Sequence, residues 1–406
     1  MRWPGDSDAI RVLLVADAQS PTTWGWVDTV RAAGVVVLGV DGRPWPDDRP
    51  AGPARGAPIR QRLRSFAKAT PRRLGVAQRS LRRVRPMLAW LRGRRLRRVV
   101  NQVKPDLIHG LRVPREAMTA VAACPRGVPL AVSIWGNDLT LHASNSWLTG
   151  YAARRVLARA DLLFADCQRD IDLARKWGLR PGIATAVLPG GGGIDLAGVA
   201  ADRELSAPLE DIDGSDHRLI VNARGCRQYV RNGILLAALD LMAADLDPRV
   251  RVVFVDAAHD GALRRSVERH RLASRIIVTG QLARAEVLAL FRRAEVSVSI
   301  TDHDGTPNSL LEAMAAGCVP VCGDLPSIRE WIEPGFNGFL APFDDPGAVA
   351  AALGRALRLS GAERCALRRE NGRVVAARAE RAATGMRAVE MYRQLTGAPV
   401  KVEEAS

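Results

Sequence analysis

Lysine is nearly missing from this 406-residue chain: only Lys68, Lys104, Lys176 and Lys401 occur. The formal net charge of +16 is therefore carried almost wholly by arginine. Joined to abundant alanine, that balance reads as the residue usage of a GC-rich genome at least as readily as a nucleic-acid footprint. Aromatic residues are scarce at 5%. No aromatic-basic platform or DNA-reading motif accompanies the charge, and nucleic acid is set aside as a partner. Paired cysteines are lacking too. The six, at positions 124, 167, 226, 318, 322 and 365, form no Cys-x-x-Cys pair and have no metal-spaced histidines nearby. That argues against a disulfide framework or a structural zinc site and for free thiols in a reducing compartment. The opening "MRWPGDSDAIRVLLVADA" holds only a short apolar run, Ile10 to Ala16, of strand length and too short to span a bilayer. A cytoplasmic protein is expected.

The chain is more than twice the length of a usual single domain, and its 47% hydrophobic content can fill two cores. Ile10 to Asp17 has the continuous apolar character of a buried parallel strand, followed by a helix from Trp24 to Ala33 closed by Gly34 and a strand from Val35 to Val40. Pro44 to Pro58 reads as a surface loop. Strands resume at "PDLIHG" (105–110), "PLAVSIWG" (129–136) and "ADLLFADC" (160–167), with helical segments between. A second series follows at 217–223, 249–257, 275–280, 294–300, 319–324 and 338–342. Strands alternating with helices predict two α/β domains, each a doubly wound parallel sheet. Their boundary is placed at residue 200, with an acidic, structureless stretch from Asp202 to Asp216, and a terminal piece over 382–406 whose helix packs at the junction. The run "LPGGGGIDL" reads as an interdomain hinge, because glycine tolerates the backbone angles a hinge must absorb. A phosphate-cradling loop is the rival, but the Gly-x-Gly-x-x-Gly spacing is absent.

The stretch "TDHDGTPNSLLEAMAAGCVPVCGDLPSIREWI" (301–332) holds the most chemistry. A helix is predicted to start at Asn308 or Ser309, with Asp304 on the loop ahead of it and Glu312 about one turn inside. In a doubly wound sheet this loop edge is where ligands bind. Free amides at the helix start attract a phosphate, and a carboxylate one turn in accepts two hydrogen bonds from a vicinal diol such as ribose. Asp304 suits a polyol. The plainer reading is a helix cap with a stabilising glutamate, worth about 1 kcal/mol.

"DGTPNSLLEAMAAGCVPVCGD" resembles the donor-binding segment of retaining glycosyltransferases of family 4, which have the GT-B fold of two Rossmann-like domains facing a cleft. Its motif there is Glu, seven residues, Glu, then an alanine-rich helix and Gly-x-Pro-Val. The resemblance continues through "SIREWIEPGFNGFLAP" and reaches "KPDLIHG" and "WGNDL" in the first half, covering roughly 105–400. This chain has Asp304 where the family usually has glutamate. The resemblance implies a nucleoside-diphosphate sugar donor on the second domain, a hydroxyl acceptor on the first, retention of configuration and no metal or other cofactor. Gly305, Thr306, Pro307, Asn308, Ser309, Glu312 and Gln281 become candidate donor contacts, with Asp304 as a catalytic candidate. At "VNARGCRQYVRN" relatives place an arginine and a lysine against the diphosphate. Arg224 takes the first place, and the second falls to Arg231 with Arg227 in reserve. Cations there are electrostatically apt, because negative charge grows on the leaving group. In "SIWGNDLTLH" many relatives carry a histidine where this chain has Trp135, and Asp138, three residues on, is a candidate for holding donor or acceptor hydroxyls. His109 is either a functional residue or a satisfied core residue at a strand end. The Asp302–Asp304 pair mimics the Asp-x-Asp of metal-dependent enzymes of another fold, but its place after a fifth strand with Glu312 following argues against a metal.

From Arg60 to Lys104 there are sixteen basic residues and no acid, interleaved with leucine, valine, phenylalanine and tryptophan. Helices with an apolar stripe and a cationic face are predicted, broken at Pro71 and Pro86, and able to rest on an anionic membrane as a peripheral contact. A solvated exterior helix pair is the alternative. For the whole chain, a nucleotide-sugar epimerase of the same fold and a non-catalytic sugar- or polyanion-binding protein stand as the rival functions.

Overall fold

The computed structural model of the chain describes residues 9–40, 43–44, 89–201, 205, 209 and 216–397. The Pro44–Pro58 loop, the basic segment before residue 89 and most of the acidic 202–216 stretch lie outside the described residues, apart from the strand position of Pro44. The chain forms two compact units. One takes residues up to 166, 170–192 and 385 onward, and the other takes 167–169 and 193–384.

The first unit is built on strands β1 (Arg11–Val15), β2 (Val36–Val40), β3 (Arg43–Pro44), β4 (Leu107–Leu111), β5 (Leu130–Ile134), β6 (Leu162–Ala165) and β7 (Ala184–Val187). They lie in the order β3-β2-β1-β4-β5-β6-β7, parallel throughout except where β3 runs against β2. Alternation along β1 sorts its side chains between two cores, as the two-residue period of a strand requires. Leu13 and Val15 join the cluster containing Leu96, Val100, Ala120 and Val156. Val12 and Leu14 join the one with Trp26, Phe164 and Tyr392. Helix Pro21–Ala32 starts three residues earlier than predicted because Pro21 occupies its first turn. Strands β3 and β7 were not foreseen. Two residues carry no periodic signal, and "ATAV" is a partly exposed edge strand with no long apolar run.

His109 proves to be a core residue. It is fully buried in β4, with Nδ1 at 2.7 Å from the Tyr392 hydroxyl and Nε2 at 2.8 Å from Ser133 Oγ. Desolvation pushes its pKa down from 6.5 to about 3, so the ring stays neutral and spends both nitrogens inside the core.

The second unit holds β8 (Arg218–Asn222), β9 (Val250–Phe254), β10 (Ile276–Val278), β11 (Ala294–Ser299), β12 (Val319–Gly323) and β13 (Phe339–Ala341) in the order β10-β9-β8-β11-β12-β13. Every pairing is parallel. The order reverses direction between β8 and β11, which places a topological switch point at their carboxyl ends.

The units divide between Gly192 and Gly193 rather than at residue 200. Both glycines have positive φ, at 81° and 91°. Residues 193–200 go with the second unit because the Ile194 N–H donates to Ala379 O at 2.7 Å, while Ile194 and Val199 sit in a core with Leu310 and Leu311. The terminal helix runs over Arg381–Thr396, and from Gly385 onward it belongs to the first unit. There Ala388, Val389 and Tyr392 are buried.

Candidate functional site

The carboxyl ends of β8 and β11 bring the candidate residues of the second unit together. At the end of β8, Asn222 donates through Nδ2 to Asn232 Oδ1 at 2.8 Å and accepts the backbone N–H of Arg224 at 3.1 Å. Asn232 in turn donates to Gly225 O at 3.0 Å. Two asparagines thus tie the strand end to the first residue of helix Asn232–Leu241 and fix the direction in which Arg224 leaves the sheet. The segment after Arg224 returns alongside the end of β11. Arg231 N–H donates to Ile300 O at 2.8 Å, and Asp302 N–H donates to Tyr229 O at 3.1 Å.

The Arg224 guanidinium, 8% exposed, forms an ion pair with Asp304, which is 10% exposed. Arg224 Nη1 also donates to Ser309 Oγ at 3.2 Å. Its Nε is buried with no hydrogen-bond partner among the described residues. Desolvation raises the Asp304 pKa, and the charges of Arg224 and Arg227 pull it back. Arg231 pairs with Asp302, whose other oxygen lies 2.9 Å from His303 Nδ1. Both acids of the Asp-x-Asp pattern are therefore answered by arginine. Arg227 and Gln281 are exposed.

Gly305, Thr306 and Pro307 are buried, and the helix begins at Asn308. Thr306 Oγ1 accepts from Trp331 Nε1 at 2.8 Å, and Ser327 Oγ donates to Asp304 O at 2.8 Å, so the loop is held by its own neighbours. Glu312 lies in the second turn of the helix with its side chain 11% exposed. Arg284 Nη2 reaches its Oε1 at 2.8 Å. Burial raises the Glu312 pKa, and Arg284 and then Arg381 lower it. Sequence reasoning missed Arg284. In so arginine-rich a chain nothing distinguishes it, and the only available signal was its place at the head of the helix after β10.

In the first unit, Asp138 is fully buried and turned inward rather than open to a ligand. Its Oδ1 accepts from Arg112 Nη2 at 2.7 Å and Nε at 3.1 Å, and its Oδ2 accepts the N–H groups of Val113 and Trp135, each at 3.1 Å. Arg112, with φ of 87°, lies over the Trp135 ring at 5.4 Å. The expectation that Asp138 holds substrate hydroxyls is corrected: four donors from its own chain saturate it, and it braces the turns after β4 and β5.

Comparison with known proteins agrees with these units. Residues 7–191 match the family described as "Glycosyl transferase 4-like domain", and residues 221–358 match "Glycosyl transferases group 1". A phosphatidyl-myo-inositol mannosyltransferase of Mycolicibacterium smegmatis is 33% identical over 45% of this chain and 45% of its own length. The Mycobacterium tuberculosis protein of the same name is 28% identical over 58% of this chain and 61% of its own. The chain thus spans about half the length of the curated relatives it matches. Among solved structures, Anabaena HepE in complex with UDP-glucose shares 14% identity with a TM-score of 0.69, covering 95% of this chain and all of that one. A trehalose-6-phosphate synthase shares 15% identity at a TM-score of 0.70, covering 95% and 99%.

Proposed function

The chain belongs to the family 4 glycosyltransferases of GT-B fold, and we propose that it transfers a sugar from a nucleoside-diphosphate sugar to an acceptor hydroxyl with retention of configuration. The observation that carries this reading is the switch-point edge of the second unit, where Glu312 follows the first turn of the helix that Asp304, Arg224 and Ser309 bracket. Glu312 takes the ribose diol, and the helix start and Arg224, joined by Arg231, take the diphosphate. Asp304 faces the sugar. The donor's leaving phosphate accepts the acceptor's proton, with two arginines supplying the cationic stabilisation that a metal gives in other glycosyltransferases.

Incubation with labelled UDP-, GDP-, ADP- and TDP-sugars and hydroxyl acceptors tests the proposal. Nucleotide release with acceptor glycosylation supports it, sugar isomerisation supports an epimerase, and binding without turnover supports a sugar-binding scaffold. Glu312→Ala is expected to weaken nucleotide binding by about 1–3 kcal/mol, because the ribose loses a charged acceptor. Unchanged affinity in a calorimetric titration removes Glu312 from the site.

The relatives named for phosphatidyl-inositol favour a lipid-borne acceptor and a peripheral position at the cytoplasmic face of a membrane. No helix among the described residues is long and apolar enough to cross a bilayer. The helix over residues 89–103 buries Ala89, Gly93, Leu96 and Val100 on one stripe and exposes Trp90, Leu91, Arg92, Arg94, Arg95, Arg97 and Arg98. Exposed cations near an anionic bilayer contribute about 1 kcal/mol each. Changing Arg94, Arg95, Arg97 and Arg98 to glutamine is expected to reduce sedimentation with anionic vesicles, most at low salt, while turnover on a short soluble acceptor holds. Wild-type protein that ignores such vesicles at low salt makes this a solvated helix face.

A further inference from the structure

Glu312 is a carboxylate that the fold places at a cost. It is buried in the second turn of its helix among Leu310, Leu311 and Met314, and desolvation there disfavours the ionised form. A protonated glutamic acid loses most of its capacity to accept two hydroxyl donors at once, which is what a vicinal diol asks of it. The charges facing it from each packed element are few. Helix Arg284–Arg293 contributes Arg284 at 2.8 Å, while Glu286 on the same helix is turned to cap Ala283 N–H at 2.9 Å. From the chain after helix Gly361–Ala379, Arg381 acts through space and is itself 3.6 Å from Asp195. Arg368 and Arg378, on that same helix, are engaged elsewhere. Arg368 lies beside Gly317, and Arg378 lies 4.1 Å over the Trp331 ring.

We propose that Arg284 is a positioning residue for donor binding: its ion pair keeps the buried Glu312 ionised and oriented as a double acceptor for the ribose hydroxyls. This deepens the donor reading and rests on it. A carboxylate offers about four acceptor positions. One bond from Arg284, whose side chain is 50% exposed at the rim, leaves the others for the nucleoside. Arg284 thus serves the ribose without contacting it.

The test is the affinity of UDP, GDP and ADP measured calorimetrically from about pH 6 to about pH 8 on wild type, Arg284→Gln, Arg284→Lys and Glu312→Gln. The sign follows from linkage. Burial holds the Glu312 pKa up and Arg284 holds it down, so removing the arginine moves protonation toward neutrality and affinity falls on the acid side. Wild type and Arg284→Lys are expected to bind with little change over this range. Arg284→Gln is expected to match wild type within about threefold at the alkaline end and to lose about tenfold at the acid end. Glu312→Gln is expected to be weak and flat throughout. An Arg284→Gln profile parallel to wild type overturns the inference and leaves the donor reading standing. Failure of wild type to bind all three nucleotides removes the donor reading, and this inference with it.

Discussion

Arg224→Ala and Arg231→Ala are each expected to lower turnover of a nucleoside-diphosphate sugar by about 10²-fold or more, the loss typical when a preorganised group facing developing charge is removed. In the free protein neither arginine waits unpaired: Arg224 is held by Asp304 and Arg231 by Asp302. On the proposed donor reading, an incoming diphosphate would meet cations already oriented by acids of the adjacent loop. The two arginines differ in setting. Arg224 is 8% exposed and rooted in the asparagine ties at the end of β8, whereas Arg231 is 43% exposed. Steady-state kinetics with labelled donor separate the effects. A loss confined to acceptor KM, with kcat intact, places both arginines outside the leaving-group site. Arg227→Ala is the internal comparison, since Arg227 is exposed and acts on Asp304 only through space.

Asp304→Ala is expected to destabilise the second unit by about 3–5 kcal/mol, because it strands a buried guanidinium that cannot give up its proton. Arg224→Ala should cost less stability. Burial already raises the Asp304 pKa, so the abandoned acid can take up a proton and become neutral. The two partners of one ion pair are thus expected to differ in stability, with loss of the acid costing more than loss of the arginine. The Asp304→Ala/Arg224→Ala double variant should recover part of the stability lost in Asp304→Ala alone. Denaturant unfolding checks this, and an Asp304→Ala midpoint equal to wild type would show that the pair is not buried in solution.

Much of this was legible in the sequence because parallel strands buried on both faces announce themselves as apolar runs. All the long strands fall within a few residues of their expected places, and the helix start at Asn308 followed from the loop chemistry of "DGTPNS". What escaped depends on contacts distant in sequence. Asp138 looked like a ligand because it stands three residues past the position where many relatives carry a histidine, and only the fold brings Arg112 and the turn amides onto it. Arg284 and Glu312 are too far apart in sequence for spacing to pair them, and arginine's abundance hides it further. The division at Gly192–Gly193 was displaced because a backbone bond from Ile194 to Ala379, invisible to composition, recruits the following residues to the second unit.

The terminal helix carries a consequence for how the protein is made. Tyr392 closes over His109 and Phe164 in the core of the first unit, at ring separations of 5.8 and 5.7 Å. Yet roughly 190 residues of the other unit are translated between Gly192 and that helix. At about 5–20 residues per second, the part of this apolar face that Tyr392 covers stays open for some ten seconds or more, while helix Pro21–Ala32 already packs Trp26 and Val30 on the same face. The last stretch of that face closes only after residues beyond Gly385 have been made, so completion of the first unit waits on synthesis of the second.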